Sequence, residues 1–419
     1  MTGFAYRNGI LHAEDVPLDR IAADAGTPTY VYALTTIGDA FDRFRAAIDD
    51  RNALIAYAMK ANDCMAVLST LARRGAGADV VSGGELAKAL AAGFPAEKIV
   101  FAGVGKTPAE MKQGLEAGIF QFNVESEPEL RALDQVAQAM GMRARVALRV
   151  NPHVDAKTHS KISTGRKGDK FGIDIDQIEA IVRLAASLPG IDLRGIAAHI
   201  GSQLLDVAPY RAAFEKLADL VRSLRTEGFS IDRLDFGGGL GIAYKGDARP
   251  DVQEYAGLAR SASHNLGVRM VFEPGRWMVG DAGVLLARVV FVKQGSDRRF
   301  LILDAAMNDL MRPALYDSYH AILPVAEPSP GAEISPVDVV GPICESTDRF
   351  AEARPMPPLA SGDLVAFMNA GAYGAVMAST YNARALPVEV AVRGSECAIV
   401  RPRKPVTALF EDETLPAWL

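Results

Sequence analysis

The middle of the chain alternates short apolar runs with segments of helical periodicity. Between residues 53 and 276, β-rich runs are followed by stretches such as "TPAEMKQGLEAG" and "YRAAFEKLADLVRSLRTEG". Several of these stretches end in glycine, the residue that most often terminates a helix. This pattern is typical of parallel strands joined by helical crossovers, and eight strands close into a (β/α)8 TIM-type barrel of the α/β class. The eight predicted strands are residues 53–59, 78–82, 98–103, 119–124, 145–150, 193–200, 233–237 and 269–273.

A different pattern begins after Arg276. Val-rich runs such as "GVLLARVVFVKQGSDRRFLILDAAM" and "PVEVAVRGSECAIVRP" are separated by Gly, Pro and Asp, and helical periodicity largely disappears. This pattern predicts a second, mostly antiparallel domain of the β-sandwich or β-barrel-like kind. The early segment "PTYVYAL", residues 28–34, could add a strand to it. We therefore expect a barrel over residues 35–276 and a β domain formed by residues 1–34 and 277–419.

Composition narrows the functional class. The 419 residues are 49% hydrophobic, which excludes a disordered chain, and 45 Lys and Arg against 51 Asp and Glu argue against a nucleic-acid partner. Cys64, Cys344 and Cys397 are widely spaced, so we expect neither a disulfide framework nor a bound metal, and a reducing cytoplasm fits. Neither a signal-peptide pattern nor an apolar run of about 18 residues predicts a membrane segment.

One connection is much longer than the others. The segment "NPHVDAKTHSKISTGRKGDKFGID" follows the fifth predicted strand. Loops longer than about 12–15 residues are usually functional or disordered. We therefore expect a lid that excludes water from the site.

Polar residues cluster at the carboxyl ends of the predicted strands, which form the active-site face of such barrels. Because these ends lie on one rim, the side chains there are expected to converge. The residues at or just beyond the ends are Lys60, Ser82, Glu85, Arg149, His199, Gly201, Ser202, the glycines of "GGGLG" (237–241) and Glu273 in "EPGR".

Four of these features have both an ordinary interpretation and a chemical one. Lys60 could be a surface lysine, or an amine that forms a Schiff base with an aldehyde cofactor. The glycines could make a simple tight turn, or surround a phosphate beyond strand seven. Glu273 could cap a loop, or keep a pyridine nitrogen protonated, and His199 could be structural, or stack on a flat cofactor. Together, the chemical interpretations describe pyridoxal phosphate, and a carboxylate at the ring nitrogen favours loss of CO₂.

The ordered motifs "YAMKAN", "DVVSGGEL", "HIGSQ", "DFGGGLG", "EPGRWMV", "GPICESTD" and "GAYGAVMASTYN" span nearly the whole chain. This set resembles the barrel-fold, fold-type III pyridoxal-phosphate-dependent decarboxylases, and among them those that act on meso-2,6-diaminopimelate. The resemblance implies a cytoplasmic enzyme that releases L-lysine and CO₂, the last step of lysine biosynthesis. It also implies a barrel that binds pyridoxal 5'-phosphate, a β domain that completes the site, and a homodimer with shared active sites.

The resemblance also implies roles for individual residues. Lys60 would carry the cofactor, His199 would stack on its ring and Glu273 would contact its nitrogen. Cys344 would reach the site of the other subunit and protonate the intermediate after CO₂ leaves. The implied cofactor-binding residues are Lys60, Asp79, Arg149, His199, Ser202, Gly238, Gly239, Glu273, Gly275, Arg276 and Tyr373. The implied substrate-binding residues are Arg276, Arg312, Tyr316, Glu345 and Tyr373, since arginine matches a carboxylate and a carboxylate side chain matches an ammonium group.

Alternatives stay open at the level of the sequence. A related decarboxylase could act on ornithine, lysine or a carrier-linked amino acid, although Arg312 and Glu345 suit a substrate with a second amino acid group. A non-catalytic homologue is a further alternative, which Lys60 and Cys344 disfavour. A racemase could share this architecture, but Glu273 suits decarboxylation better.

Overall fold

The computed structural model describes residues 3–155 and 170–419, so residues 156–169 of the predicted lid lie outside the described part. The chain divides into two compact units, Gly38–Met278 and Met1–Ile37 with Val279–Leu419. The domain boundaries at residues 34 and 276 and their roles stay predictions. Within the described ranges, no helix combines the length and the apolar character needed to cross a membrane.

The chain begins with a small antiparallel sheet that the sequence analysis does not predict. Its strands β1 and β2 are joined by Asn8 and Gly9, both with positive φ, as a two-residue hairpin turn requires. This sheet and β4 belong to the β unit, and the chain passes into the barrel unit within α2. These first elements are β1 (Phe4–Arg7), β2 (Ile10–Ala13), β3 (Val16–Pro17), α1 (Leu18–Ala25), β4 (Thr29–Ala33) and α2 (Leu34–Ile48).

Eight parallel strands form the closed barrel, which confirms the predicted TIM-type fold. Each strand pairs with the next along the chain, and the last pairs with the first through Val271 and Leu54. A two-residue strand, β10 (Ile173–Asp174), adds to the end of the fifth barrel strand. The barrel strands are β5 (Leu54–Ala58), β6 (Gly77–Val80), β7 (Ile99–Phe101), β8 (Gln121–Val124), β9 (Ala144–Asn151), β11 (Ile191–Ala197), β12 (Arg233–Asp235) and β13 (Arg269–Phe272).

Helices connect the barrel strands, and their ends follow ordinary capping chemistry. The helix after β7 begins with a capping box of Thr107 and Glu110 and ends at Gly118, which has a φ of 68°. Ser82 and Glu85 likewise cap the helix after β6, so this structure gives them a local role. The helices are α3 (Met65–Arg73), α4 (Gly83–Ala91), α5 (Pro108–Ala117), α6 (Glu127–Ala139), α7 (Ile178–Ser187), α8 (Ala208–Thr226), α9 (Val252–Ser263) and α10 (Arg276–Val279).

The barrel interior changes character along its axis. Toward the amino ends of the strands it holds an apolar cluster that includes Leu54, Val100 and Val271. Glu273 lies two residues beyond Val271 and therefore on the same, inward face. The interior toward the carboxyl ends is polar, which places charged groups at the expected active-site rim.

The second unit is built on a sheet with strand order β18-β17-β15-β14-β4-β20-β21, and most pairs are antiparallel, as predicted. Strand β4 lies between β14 and β20, which confirms the strand expected from residues 28–34. Val31, Val284, Leu286 and Val390 contribute to its core. The remaining elements are β14 (Gly283–Gln294), β15 (Arg299–Leu303), α11 (Arg312–Tyr316), β16 (Ile322–Pro324), β17 (Ser335–Val340), β18 (Arg349–Met356), β19 (Leu364–Phe367), β20 (Val388–Arg393) and β21 (Glu396–Arg401).

Candidate active site

Lys60 lies at the carboxyl end of β5, in a single helical turn spanning Met59–Ala61. Its Nζ is 3.2 Å from Oδ2 of Asp79, which lies on the neighbouring strand β6 and is fully buried. Burial raises the pKa of the Asp79 carboxyl, and the charge of Lys60 opposes that rise. The Lys60 side chain is 39% exposed. The amine is therefore both paired with a carboxylate and open to a ligand at the barrel mouth.

Arg149 is held at the end of β9 by a buried carboxylate. Its Nη1 donates to Oε1 of Glu125 at 2.9 Å, and the two side chains are 10% and 1% exposed. Glu125 also accepts hydrogen bonds from the backbone N–H groups of Gly103, at 3.0 Å, and Gly172, at 3.2 Å. These three donors fix the carboxylate, and the carboxylate fixes the guanidinium at the rim.

His199 follows β11 and is held in one tautomer. The backbone N–H of Gly238 donates to His199 Nδ1 at 3.1 Å, so the ring proton lies on Nε2. Burial lowers the pKa of His199 well below its usual value, and the positive charges of Arg149 and Lys60 lower it further. The imidazole is therefore neutral, and its face can lie against a flat ring.

The glycine turn after β12 leaves no room for side chains. A Cβ on Gly238 would overlap the backbone oxygen of Glu273, and one on Gly239 would overlap that of Gly201. Gly239 also has a φ of 103°, a conformation that favours glycine. Gly275 packs against Ala58 and Ala61, and a Cβ added to it would lie 3.1 Å from each methyl group. Backbone from three loops therefore meets closely at this side of the mouth.

Arg276 and Ser202 lie beside this turn. The Nη2 of Arg276 donates to Ser202 Oγ at 3.1 Å, and its Nη1 donates to the hydroxyl of Tyr244 at 2.8 Å. Arg276 is buried. A guanidinium, a hydroxyl and a glycine turn are donors that suit a phosphate group.

Glu273, at the end of β13, is buried among other carboxylates. Its Oε1 accepts a hydrogen bond from Nδ2 of Asn123 at 2.9 Å. Burial raises the pKa of Glu273 well above its usual value, and the nearby Asp235 and Asp79 raise it further. A cation placed at this carboxylate would offset these effects, and a protonated pyridine nitrogen is such a cation.

The barrel unit thus brings together ten of the predicted site residues. They are Lys60, Asp79, Arg149, His199, Ser202, Gly238, Gly239, Glu273, Gly275 and Arg276. The remaining predicted residues, Arg312, Tyr316, Cys344, Glu345 and Tyr373, belong to the β unit.

Arg312 is a buried arginine at the start of α11. Its Nη1 lies 2.7 Å from Nε2 of His320, whose Nδ1 lies 2.8 Å from the backbone oxygen of Met368. The backbone oxygen can only accept, so Nδ1 of His320 carries the proton and Nε2 accepts from Arg312. Tyr316 ends the same short helix. The helix therefore carries a cation and a phenol on one element of the β unit.

Cys344 and Glu345 are exposed in the loop after β17. Asp348 holds this loop by accepting hydrogen bonds from the backbone N–H groups of Ile343 and Met307, each at 2.7 Å. The backbone N–H of Cys344 donates to Asn382 Oδ1 at 3.1 Å. Tyr373 has a φ of 55°, which side-chain-bearing residues rarely adopt outside special sites. The loop thus presents the thiol of Cys344 from a fixed backbone.

The residues of the barrel mouth fit pyridoxal phosphate by their chemistry. Lys60 is an accessible amine for the aldehyde, and Glu273 is a buried carboxylate for the ring nitrogen. The turn at Gly238 and Gly239 is a cradle that any Cβ would fill. Each of these groups thus has a counterpart of matching chemistry on this cofactor.

Several contacts of these residues were not predicted from the sequence. Glu125, Asn123 and Asp235 support predicted site residues from within the barrel, and Tyr244 supports Arg276. A usable signal existed for Asn123, because "QFNV" alternates polar and apolar residues. For Tyr244 the sequence offers no such pattern, since it lies in an irregular loop.

The chain is similar to proteins of known family. The family described as "Pyridoxal-dependent decarboxylase, pyridoxal binding domain" matches residues 34–280. The diaminopimelate decarboxylase of Zymomonas mobilis is 46% identical over 424 aligned positions, which cover 100% of each chain. The solved diaminopimelate decarboxylase from M. jannaschii in complex with L-lysine matches with a TM-score of 0.94 and 35% identity, over 100% of each chain. The Helicobacter pylori enzyme complexed with L-lysine matches with a TM-score of 0.90 and 39% identity, covering 94% of this chain and 98% of that one.

Proposed function

Because the chain belongs to the diaminopimelate decarboxylases, which are pyridoxal-dependent enzymes, we propose that it converts meso-2,6-diaminopimelate to L-lysine and CO₂. This reaction is the last step of lysine biosynthesis. The observation that carries the proposal is the barrel mouth, where Lys60 pairs with Asp79 and a buried Glu273 lies at the same rim. The complexes of two related structures with L-lysine support the product.

The cofactor is pyridoxal phosphate, which supplies an electron-withdrawing ring that can take up the electron pair left when CO₂ departs. Lys60 would hold it covalently, and Asp79, 3.2 Å from the amine, would keep that amine oriented. Glu273 would hold the ring nitrogen in its protonated form, and the neutral His199 would lie against the ring face. Arg149 would add a cation at the rim, and Ser202, Gly238, Gly239, Gly275 and Arg276 of the barrel unit would hold the phosphate.

Substrate recognition follows from the second amino acid group of diaminopimelate. Arg312 matches its carboxylate, since a guanidinium makes paired hydrogen bonds to a carboxylate. Glu345 matches its ammonium group, and the hydroxyls of Tyr316 and Tyr373 complete the pocket. Cys344 would donate the proton that replaces CO₂.

We further propose a cytoplasmic homodimer with two shared active sites. The exposed, fixed loop that carries Cys344 supports the dimer, because a thiol at the surface of one subunit can complete a site on another. The three widely spaced cysteines support a reducing compartment.

The reaction is tested by measuring CO₂ release from meso-diaminopimelate, L-lysine, L-ornithine and L-arginine. We expect release from diaminopimelate alone, and its loss in Lys60→Ala. Lys88→Ala is a matched control, because Lys88 also pairs with an aspartate, Asp63 at 2.5 Å, but lies on α4. Release from ornithine without release from diaminopimelate would contradict the proposal.

The substrate pocket is tested with Arg312→Ala, which should raise the KM for diaminopimelate sharply while cofactor binding persists. Arg298→Ala is the control, since Arg298 is exposed and its charge is already paired with Asp338 and Glu352. An unchanged KM in Arg312→Ala would remove Arg312 from the pocket.

The shared sites are tested by mixing two weakly active variants. Cys344→Ala should lower turnover while the absorbance of the bound cofactor persists, and Cys397→Ala should not. Reassociated mixtures of Lys60→Ala and Cys344→Ala should recover up to about a quarter of wild-type activity, because half of the dimers then carry one intact site. Mixtures no more active than their parents would argue against sites shared between subunits.

A further inference from the structure

The barrel interior contains a group of polar side chains that neither the mechanism above nor the apolar core accounts for. Gln121 and Asn123 alternate with Phe122 and Val124 on β8, so both point into the barrel. Asp235 lies on β12, which is not a neighbour of β8 in the sheet. Even so, Asn123 Nδ2 donates to Asp235 Oδ2 at 3.1 Å. These contacts therefore cross the lumen of the barrel.

The hydrogen bonds form a column with a consistent direction. Arg233 Nη1 donates to Gln121 Oε1 at 3.3 Å, and Gln121 Nε2 donates to Asn123 Oδ1 at 2.8 Å. Asn123 Nδ2 then donates to Glu273 Oε1 at 2.9 Å. Each amide oxygen faces the amino end of the barrel, and each amide nitrogen faces the carboxyl end. The column thus delivers a donor to Glu273, and donors stabilise a carboxylate anion.

Asp235 acts on Glu273 in the opposite sense. It is fully buried and accepts hydrogen bonds from Asn123, from Gln121 Nε2 at 3.4 Å and from the backbone N–H of Gly237 at 2.9 Å. Its negative charge raises the pKa of Glu273. Two buried carboxyl groups in contact cannot both ionise freely. The proton affinity of Glu273 therefore reflects a balance between Asn123 and Asp235.

Filling space does not explain this arrangement. Leu54, Ala56, Val100, Phe120 and Val271 form an apolar cluster in the same barrel. Apolar side chains can therefore fill the lumen of this barrel. Burying amides and a carboxylate there costs free energy that their hydrogen bonds must offset.

We propose that Asn123 and Asp235 are positioning residues that set the orientation and proton affinity of Glu273 in opposite directions, with Gln121 supporting Asn123. The proposal rests on the proposed function, in which Glu273 contacts the ring nitrogen of pyridoxal phosphate. With Asn123 in place, the proton shared by Glu273 and the ring nitrogen stays on the ring nitrogen. Without it, Glu273 becomes more basic and takes the proton.

The test is NMR of the ring nitrogen in isotope-labelled pyridoxal phosphate bound to the holoenzyme, recorded against pH. Asn123→Leu should move the signal toward that of a neutral nitrogen, with a shift of about one to two pH units in its midpoint, as loss of one hydrogen bond to a charged group implies. Asp235→Asn should keep the nitrogen protonated and move the midpoint in the opposite direction. Val100→Ala, in the apolar cluster, is the control for loosening of the barrel.

Midpoint shifts of opposite sign in Asn123→Leu and Asp235→Asn support the proposal, since a merely structural role of these residues would move the midpoint in the same direction in both variants. Wild-type signals in both variants, or equal shifts in both variants and in Val100→Ala, would overturn it. If Asn123→Leu does not fold, Gln121→Leu tests the next link of the column and should give a smaller shift of the same sign. Glu273→Gln separates the two proposals: an unchanged signal in that variant refutes the contact of Glu273 with the ring nitrogen itself.

Discussion

A buried ion pair next to the barrel mouth allows a sharp test of what holds this end of the barrel. Lys106 follows β7, and its Nζ donates to the backbone oxygens of Gly103 at 2.6 Å and Asn123 at 2.9 Å. The same Nζ lies 2.7 Å from Oε1 of Glu129 on α6, and the two side chains are 0% and 6% exposed. Because water does not reach either group, each charge depends on the other for its compensation.

Removing one partner should therefore lower the free energy of unfolding by much more than the intact pair contributes to it. We expect Lys106→Met and Glu129→Leu each to lower the free energy of unfolding by about 3–5 kcal/mol, the cost of one uncompensated buried charge. The double variant should lose less stability than either single variant, because both charges leave together and no uncompensated charge stays buried. Lys112→Met is the control: its exposed pair with Glu116 at 3.7 Å should change stability by less than about 1 kcal/mol.

The assay is urea unfolding followed by the fluorescence of Trp277, which packs edge-on against Phe44 with 5.5 Å between ring centroids. A Trp418→Phe background removes the second tryptophan, which is 81% exposed and would add a signal from the chain terminus. Additive single variants, or a Lys106→Met variant as stable as Lys112→Met, would refute the reasoning.

Two further predictions concern the cofactor site. Because the pKa of Glu273 is raised by folding, this group contributes stability to the cofactor-free protein at low pH, and the contribution is lost as the pH rises through the raised pKa. Glu273→Gln should therefore become more stable relative to wild type as the pH rises. Thermal unfolding of the cofactor-free protein across pH checks this, and a variant less stable than wild type at every pH would contradict it. Gly239→Ala should cost at least about 1–3 kcal/mol and weaken cofactor binding, because of its φ of 103° and the overlap with Gly201. Gly246→Ala, at a φ of 66° with no atom within 4 Å of the added Cβ, should affect stability less and leave cofactor affinity unchanged in a binding titration.

The barrel could be predicted from the sequence because its strands are short apolar runs separated by periodic helices. The strand ends were less predictable. The run at 98–103 forms a strand only over Ile99–Phe101, and the run at 193–200 ends as a strand at Ala197. At the barrel mouth the chain stops pairing with its neighbouring strands before it reaches residues such as His199. The apolar run continues past this point, so apolar content alone does not predict where the strand ends.

The supporting contacts of the site were harder to predict because their partners are remote. Asn123 contacts Asp235 and Glu273, which lie 112 and 150 residues away along the chain. The alternation in "QFNV" indicates inward polar groups, but only the closed barrel shows what they face. The small sheet near the start was missed for another reason, since the "NG" turn signal at Asn8 and Gly9 joins strands of only four residues.

The roles predicted for residues of the β unit were implied by the resemblance to a known family and not by a local sequence pattern. Arg312 lies on a five-residue helix, and Cys344 lies in a loop, so neither has a periodic neighbourhood that marks it as functional. The fixed loop geometry that Asp348 provides around Cys344 is a tertiary property that no local stretch of sequence encodes.

The position of β4 has a consequence for how the protein is made. This strand leaves the ribosome within the first 33 residues, yet its two sheet neighbours are β14, which pairs through residues 283–286, and β20, which pairs through residues 388–392. The contiguous barrel can fold as soon as β13 has emerged, whereas β4, whose five residues are all buried in the native sheet, waits until nearly the whole chain is synthesised. During translation this strand is therefore an exposed apolar segment, and chaperone binding or aggregation of nascent chains should concentrate there.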